Sequence, residues 1–236
     1  YNAGTNVSTG IQNTLIGSLA GDALTTGTEN VVVGYAALSS EDANGKNVAV
    51  GSYALNALNA GADAYNVALG YQAGYLVSTG INNVIIGGLA GDALTTGEYN
   101  IAIGRDALTT EDTGSRNVAI GYGALYNLDF NGDAYNTAVG HSAGSQMTTG
   151  TSNTLIGGLA GDALTDGNAN VAVGRGALSG ETRGDRNVAI GYEALLAQNN
   201  TSDVDAYNTA VGYAAGTSIS TGINNTMVGG LAGDAL

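Results

Sequence analysis

The sequence predicts an all-β chain, a parallel β-solenoid of about thirteen coils of 17–21 residues. Three observations predict it. The segment Asn-x-x-x-Gly recurs at Asn13, Asn30, Asn47, Asn66, Asn83, Asn100, Asn117, Asn136, Asn153, Asn170, Asn187, Asn208 and Asn225. Inside each unit apolar residues follow a period of two, as in Asn47-Val-Ala-Val-Gly51 and Asn100-Ile-Ala-Ile-Gly104, which is the pattern of a strand. Glycine is abundant, 39 of 236 residues, and proline is absent. A seventeen-residue unit cannot bury a core alone, so neighbouring units must stack.

Each coil opens on its strand. The first residue after the Asn is Val, Ile or Thr and the third is Ile, Val or Leu, so these two share one face. The middle residue is Ala in eight units, with Leu15, Val32, Ile85, Leu155 and Met227 in the rest. The Gly that closes the strand suits a corner. Three residues later comes an invariant Ala, from Ala20 to Ala232, followed by Leu or Gly. This tight segment is a candidate second strand. Turn pairs such as Thr26-Gly27 and Asn44-Gly45 complete the coil. An array of short helices is rejected, because seventeen Gly-rich, β-branched residues leave no room for two helices. A β-propeller is rejected because the units are too alike to be different strands of one blade.

Every fourth step is long, giving superrepeats 1–70, 71–140 and 141–212 and a partial one at 213–236, within a single solenoid domain spanning 1–236. At about 4.8 Å per coil the array is a rod of roughly 60 Å. The repeated Asn predicts a side-chain ladder that maintains the cross-section. Val, Ile and Leu at the two outer strand positions are expected to fill the interior. The Ala face, with its periodic Leu15, Ile85, Leu155 and Met227, is then an apolar stripe expected to contact another subunit, as dimer or trimer.

Composition excludes several functions. There is no Cys, hence no disulfide framework or thiolate zinc site. One histidine, His141, is little material for a His-based dyad or metal site. Six basic against twenty acidic side chains give a net charge of −14, which argues against a nucleic-acid partner. No run of 18 apolar residues occurs, so no membrane insertion is expected in this segment. Without initiator Met or signal peptide, the chain reads as an excised part of a longer fibrous protein. Acidic residues recur with the repeat instead of forming one unique cluster, so no catalytic residue and no enzyme activity is expected. The recurrent Asp22, Asp92, Asp162 and Asp234 read as turn caps. Calcium-loop patterns are absent, so no metal and no cofactor is expected.

The insertions end in Asp-Ala-Tyr-Asn at 63–66, 133–136 and 205–208. If a binding surface exists these bulges are its best candidates, with Tyr126, Phe130, Tyr65, Tyr135 and Tyr207 as possible contacts. The alternative is that they pack over the side of the rod. Lys46, Arg116 and Arg186, and Glu41, Glu111 and Glu181, each recur 70 residues apart. All six read as surface or interface residues.

Asn-(Val/Thr)-Ala-(Ile/Val)-Gly followed by x-x-Ala, as in the segments 100–108, 117–125 and 187–195, resembles the head repeats of YadA-like trimeric autotransporter adhesins. It is also similar to arrays in phage tail-fibre proteins. The resemblance covers essentially the whole chain. It implies a left-handed parallel β-roll, three chains side by side, and an extracellular place on a bacterial outer surface or a phage virion tail fibre. It departs from the adhesin head in coil length, typically near fourteen residues there, and in lacking a neck or coiled-coil stalk. The function expected is a structural or adhesive fibre segment, with a host glycan or surface protein as the candidate partner. A single-chain solenoid presenting a repetitive ligand face to ice, glycan or a surface-layer matrix is the alternative.

Overall fold

The computed structural model describes residues 2–235, so Tyr1 and Leu236 at the bounds of the expected domain lie outside it. The chain is an all-β parallel solenoid of about thirteen turns. Its residues fall into two compact units, one formed by 1–117 with 131–133 and the other by 118–130 with 134–236.

In the first unit the strands are β1 (Thr14–Ile16), β2 (Val31–Val33), β3 (Val48–Val50), β4 (Val67–Leu69), β5 (Val84–Ile86) and β6 (Ile101–Ile103). Each pairs in parallel with the next, and Leu15, Val32, Ala49, Ala68, Ile85 and Ala102 stand in one register column. In the second unit β7 (Val118–Ile120), β8 (Thr137–Val139), β9 (Thr154–Ile156), β10 (Val171–Val173), β12 (Val188–Ile190), β14 (Thr209–Val211) and β15 (Thr226–Val228) stack the same way. There the short β11 (Gly184–Asp185) pairs with β13 (Val204–Asp205), the strand that the longest insertion contributes. The extra residues of long coils loop out, so Val48 still faces Val67 and Val188 still faces Thr209.

The structure reverses the expected faces. The middle residue of each strand points into the core, fully buried from Val32 through Ala210, while the outer Val, Ile and Thr side chains are half-exposed or exposed. Period two shows which residues share a face but not which face is inside. The inside is settled by what else must fit there. Each coil already sends a large side chain inward from its loop, such as Leu24, Leu58, Leu94, Leu128 or Leu164, all fully buried. The strand therefore has space mostly for Ala.

Core volume is shared between coils, which explains part of the four-coil cycle. A Cβ built at Gly74 would lie 2.9 Å from Ile85 Cδ1 and 3.0 Å from Leu55 Cδ2. Larger residues above and below thus fill the space that Gly74 vacates. Gly144 stands in the same relation to Leu155 and Leu125, and Gly216 to Met227 and Leu195.

The Ala-Leu segment is not a second strand. It is a turn, and its Leu is left-handed, for example Leu38 at φ 47° and Leu55 at φ 47°. Each coil has further left-handed residues, such as Ala36 at φ 50° and Lys46 at φ 64°. This conformation costs an L-residue about 1–2 kcal/mol. Here it aims single backbone N–H groups at adjacent coils: Ala36 N donates to Ser18 O at 2.9 Å, Leu38 N to Ala54 O at 3.0 Å, and Lys46 N to Thr28 O at 3.0 Å. The strand-closing glycines form a close backbone column. A Cβ at Gly51, where φ is 138°, would lie 2.6 Å from the carbonyl carbon of Gly70.

Candidate functional site

The anchor asparagines are buried except Asn13 and Asn225, which are half-buried. In the first unit each anchor's backbone N–H donates to the side-chain Oδ1 of the anchor before it, from Asn30 onto Asn13 through Asn117 onto Asn100, at 2.9–3.1 Å. The second unit repeats this from Asn153 onto Asn136 through Asn225 onto Asn208. The amide NH2 donates to a loop carbonyl fourteen residues on: Asn66 to Gly80 O, Asn83 to Gly97 O and Asn170 to Gly184 O. A long coil ahead spoils that spacing, and the amide turns elsewhere. Asn47 bonds Gly45 O, and Asn187 bonds Asn170 Oδ1.

Glu41, Glu111 and Glu181 are not surface residues. All three are fully buried. They hold loops from inside: Glu111 Oε1 accepts from Gly114 N at 2.7 Å, and Glu41 accepts from Asn44 N and Ala60 N. Glu181 accepts from the backbone N–H groups of Thr182, Arg183, Gly184 and Asn200 and from the side-chain amides of Gln198 and Asn200. Loop N–H groups converge on the carboxylate and satisfy its lone pairs.

The outward face is where interaction is possible. Its two strand columns are Val, Ile or Thr, with Leu69 the one exception. The most exposed members include Ile16, Val31, Ile156, Ile190 and Val228. Two further columns lie just beyond them in sequence, one preceding the anchor Asn and one following the strand-closing Gly. These positions carry exposed Tyr35, Tyr65, Tyr71, Tyr99, Tyr122, Tyr135, Tyr192, Tyr207 and Tyr213. They also carry Lys46, Arg105, Arg116, Arg175 and Arg186, five of the six basic residues, and only Glu29 of the twenty acidic ones. This strip of sequence holds a balance of +4 against −18 elsewhere, which together make the −14 of the chain.

The cations of the strip are paired. Lys46 Nζ lies 2.7 Å from Asp63 Oδ2 and 5.1 Å from the centre of the Tyr65 ring. The hydrogen bonds that Lys46 donates to Asp63 and Tyr65 hold the ammonium above the ordinary lysine range, and the Lys46 bond holds Asp63 below the ordinary carboxylate range. Arg116 pairs with Asp133 and covers Tyr99, and Arg186 pairs with Asp205 and covers Tyr207. The recurring Asp-Ala-Tyr-Asn thus supplies the carboxylate that meets the cation of the coil before it. Exposed pairs of this kind contribute about 0–1 kcal/mol each.

Of the five expected contact residues, Tyr65, Tyr135 and Tyr207 are about half exposed, Tyr126 is exposed, and Phe130 is half-buried. Sequence reasoning did not single out Tyr53 and Tyr75. The Tyr53 ring makes two edge-to-face contacts, with Tyr35 at a centroid distance of 5.2 Å and 82° and with Tyr75 at 6.1 Å and 86°. Aligning the superrepeats would have found them, because Tyr53 stands where the later copies have Gly123 and Glu193, and Tyr75 where they have Ser145 and Thr217. Asp22, Asp92 and Asp162 each have one buried, unpartnered Oδ1. Desolvation raises the pKa of Asp92 and Asp162.

Searches for similarity return no family model, no curated protein and no solved structure that matches this chain. No helix among the described residues is long and apolar enough to cross a membrane.

Proposed function

We propose that the chain is a non-enzymatic structural and adhesive segment of an extracellular fibre, built from three copies side by side. A YadA-like bacterial surface adhesin and a phage tail fibre are its two candidate settings. One observation carries the reading. The solvent side of the strand ladder is apolar and β-branched, where a monomeric solenoid would present polar side chains. The flank that precedes the anchor Asn, with Tyr65, Tyr99, Tyr135 and Tyr207 beside Lys46, Arg116 and Arg186, has the composition of protein contact sites. The subunit contact thus moves from the Ala face, which is core, to the Val/Ile face. The Asn-x-Ala-x-Gly arrays support the same setting by resemblance.

The test is solution mass by light scattering across a concentration series. A mass three times that of the 23.3 kDa chain is expected. A stable monomer at micromolar concentration refutes the fibre reading and favours a single-chain solenoid that turns this face to a repetitive ligand.

A further inference from the structure

We infer that the first superrepeat carries a binding site for uncharged carbohydrate, formed by Tyr35, Tyr53, Tyr71 and Tyr75. The site deepens the adhesive half of the reading above and rests on it for its setting, not for its chemistry.

The internal repeats act as their own alignment. The position of Tyr35 is Arg105 and Arg175 in the later superrepeats, and that of Tyr53 is Gly123 and Glu193. Tyr71 corresponds to His141 and Tyr213, and Tyr75 to Ser145 and Thr217. In the third superrepeat the first two positions form an ion pair, Arg175 Nη1 to Glu193 Oε1 at 3.6 Å. In the first they form an edge-to-face tyrosine pair. The same two positions thus hold two phenols in the first superrepeat, opposite charges in the third, and Arg105 with Gly123 in the second. Tyr75 joins them from the next coil. The scaffold does not demand this substitution, since the same coil geometry accommodates the ion pair.

The chemistry of the patch selects the ligand class. None of its four positions carries a charge, while the matching positions elsewhere hold two arginines, a glutamate and a histidine. An anionic ligand therefore has no counter-charge among them, and a cation would meet ring faces alone and leave the phenol O–H donors unused. Tyr35 and Tyr71 are about half exposed, and Tyr53 is half-buried between its neighbours, which raises its hydroxyl pKa by desolvation first and by the nearby tyrosines second. Perpendicular rings offer ring faces in two directions, with phenol O–H groups as donors and acceptors beside them. A pyranose has both partners, an apolar C–H face to lie on a ring and hydroxyls to meet the phenols.

Saturation-transfer NMR on the intact chain tests this with four neutral hexasaccharide probes: β-1,4-glucan, α-1,4-glucan, β-1,4-linked N-acetylglucosamine and β-1,4-galactan. Transfer from tyrosine ring protons to at least one probe is expected. Tyr35→Arg/Tyr53→Glu/Tyr75→Thr transplants the third superrepeat's residues into the first and should weaken that binding at least tenfold with circular dichroism unchanged. The reciprocal Arg175→Tyr/Glu193→Tyr/Thr217→Tyr should create a second site and double the bound stoichiometry. No transfer to any probe, or full binding by the transplanted variant, overturns the site. Light scattering on the same samples separates the outcomes, because lost sugar binding at trimer mass overturns only the site, while a monomer overturns the fibre.

Discussion

Replacing Asn83 by Ala tests the ladder at a fully buried anchor. Asn83 is fully buried, its Oδ1 accepts from Asn100 N at 2.9 Å, and its Nδ2 donates to Gly97 O at 2.9 Å. Its own N–H to Asn66 Oδ1 survives the change. Asn100 and Gly97 are themselves buried, so the substitution leaves one donor and one acceptor without a partner. At about 1–3 kcal/mol for each buried group stranded this way, the expected loss is about 2–6 kcal/mol. Urea unfolding followed by circular dichroism reads it as a fall in midpoint at constant m. Asn83→Asp sharpens the test. Its carboxylate keeps an acceptor for Asn100 but sets a second oxygen against Gly97 O, where only a protonated carboxyl can donate. The folded-state pKa must then rise above the unfolded value, so the penalty is absent below about pH 3.9 and complete above the raised pKa. Asn83→Asp should approach wild type near pH 3 and fall behind it at pH 7. A loss under about 0.5 kcal/mol for Asn83→Ala, well below the range for stranded groups, or an Asn83→Asp penalty independent of pH, would refute this account of the ladder.

Three further outcomes follow from the same geometry. Ile85→Ala should cost about 2–5 kcal/mol in urea unfolding because it empties the space over Gly74, whereas Ile86→Thr on the outward face should leave unfolding of the isolated chain nearly unchanged and lower the mass seen by light scattering. Glu181→Ala strands four backbone N–H groups and should expose the loop segments 182–183 and 199–203 to proteolysis before the long strands unfold. Asp162 has a raised pKa from desolvation, so its charge opposes folding above its unfolded pKa and that cost is relieved as pH falls through the folded one; Asp162→Asn should therefore raise Tm at pH 7 and have little effect at pH 3.

The strands were legible because their signal is local. The Asn-x-x-x-Gly frame, the period of two and the β-branched bias each act within five residues, and they set the coil count and the place of every long strand of the stack. The loop insertions were legible for the same reason, since an extra two or four residues between anchors must leave the stack. The faces were not. Val48, Ala49 and Val50 read identically whether Ala or Val points inward, and the decision rests with Leu55 and Leu58, which enter the core from the loop and are fully buried there with Ala49. Glu41, Glu111 and Glu181 misled for a related reason. A carboxylate in a loop looks solvated until the loop's N–H groups are seen to converge on it, and that convergence depends on turns closed by neighbouring coils. The tyrosine patch lies between these cases: the sequence contained the replaced positions, and only the stack brought Tyr35, Tyr53 and Tyr75 into ring contact. Sequence fixes period locally, while burial is a property of the cross-section, which every segment of the coil shares.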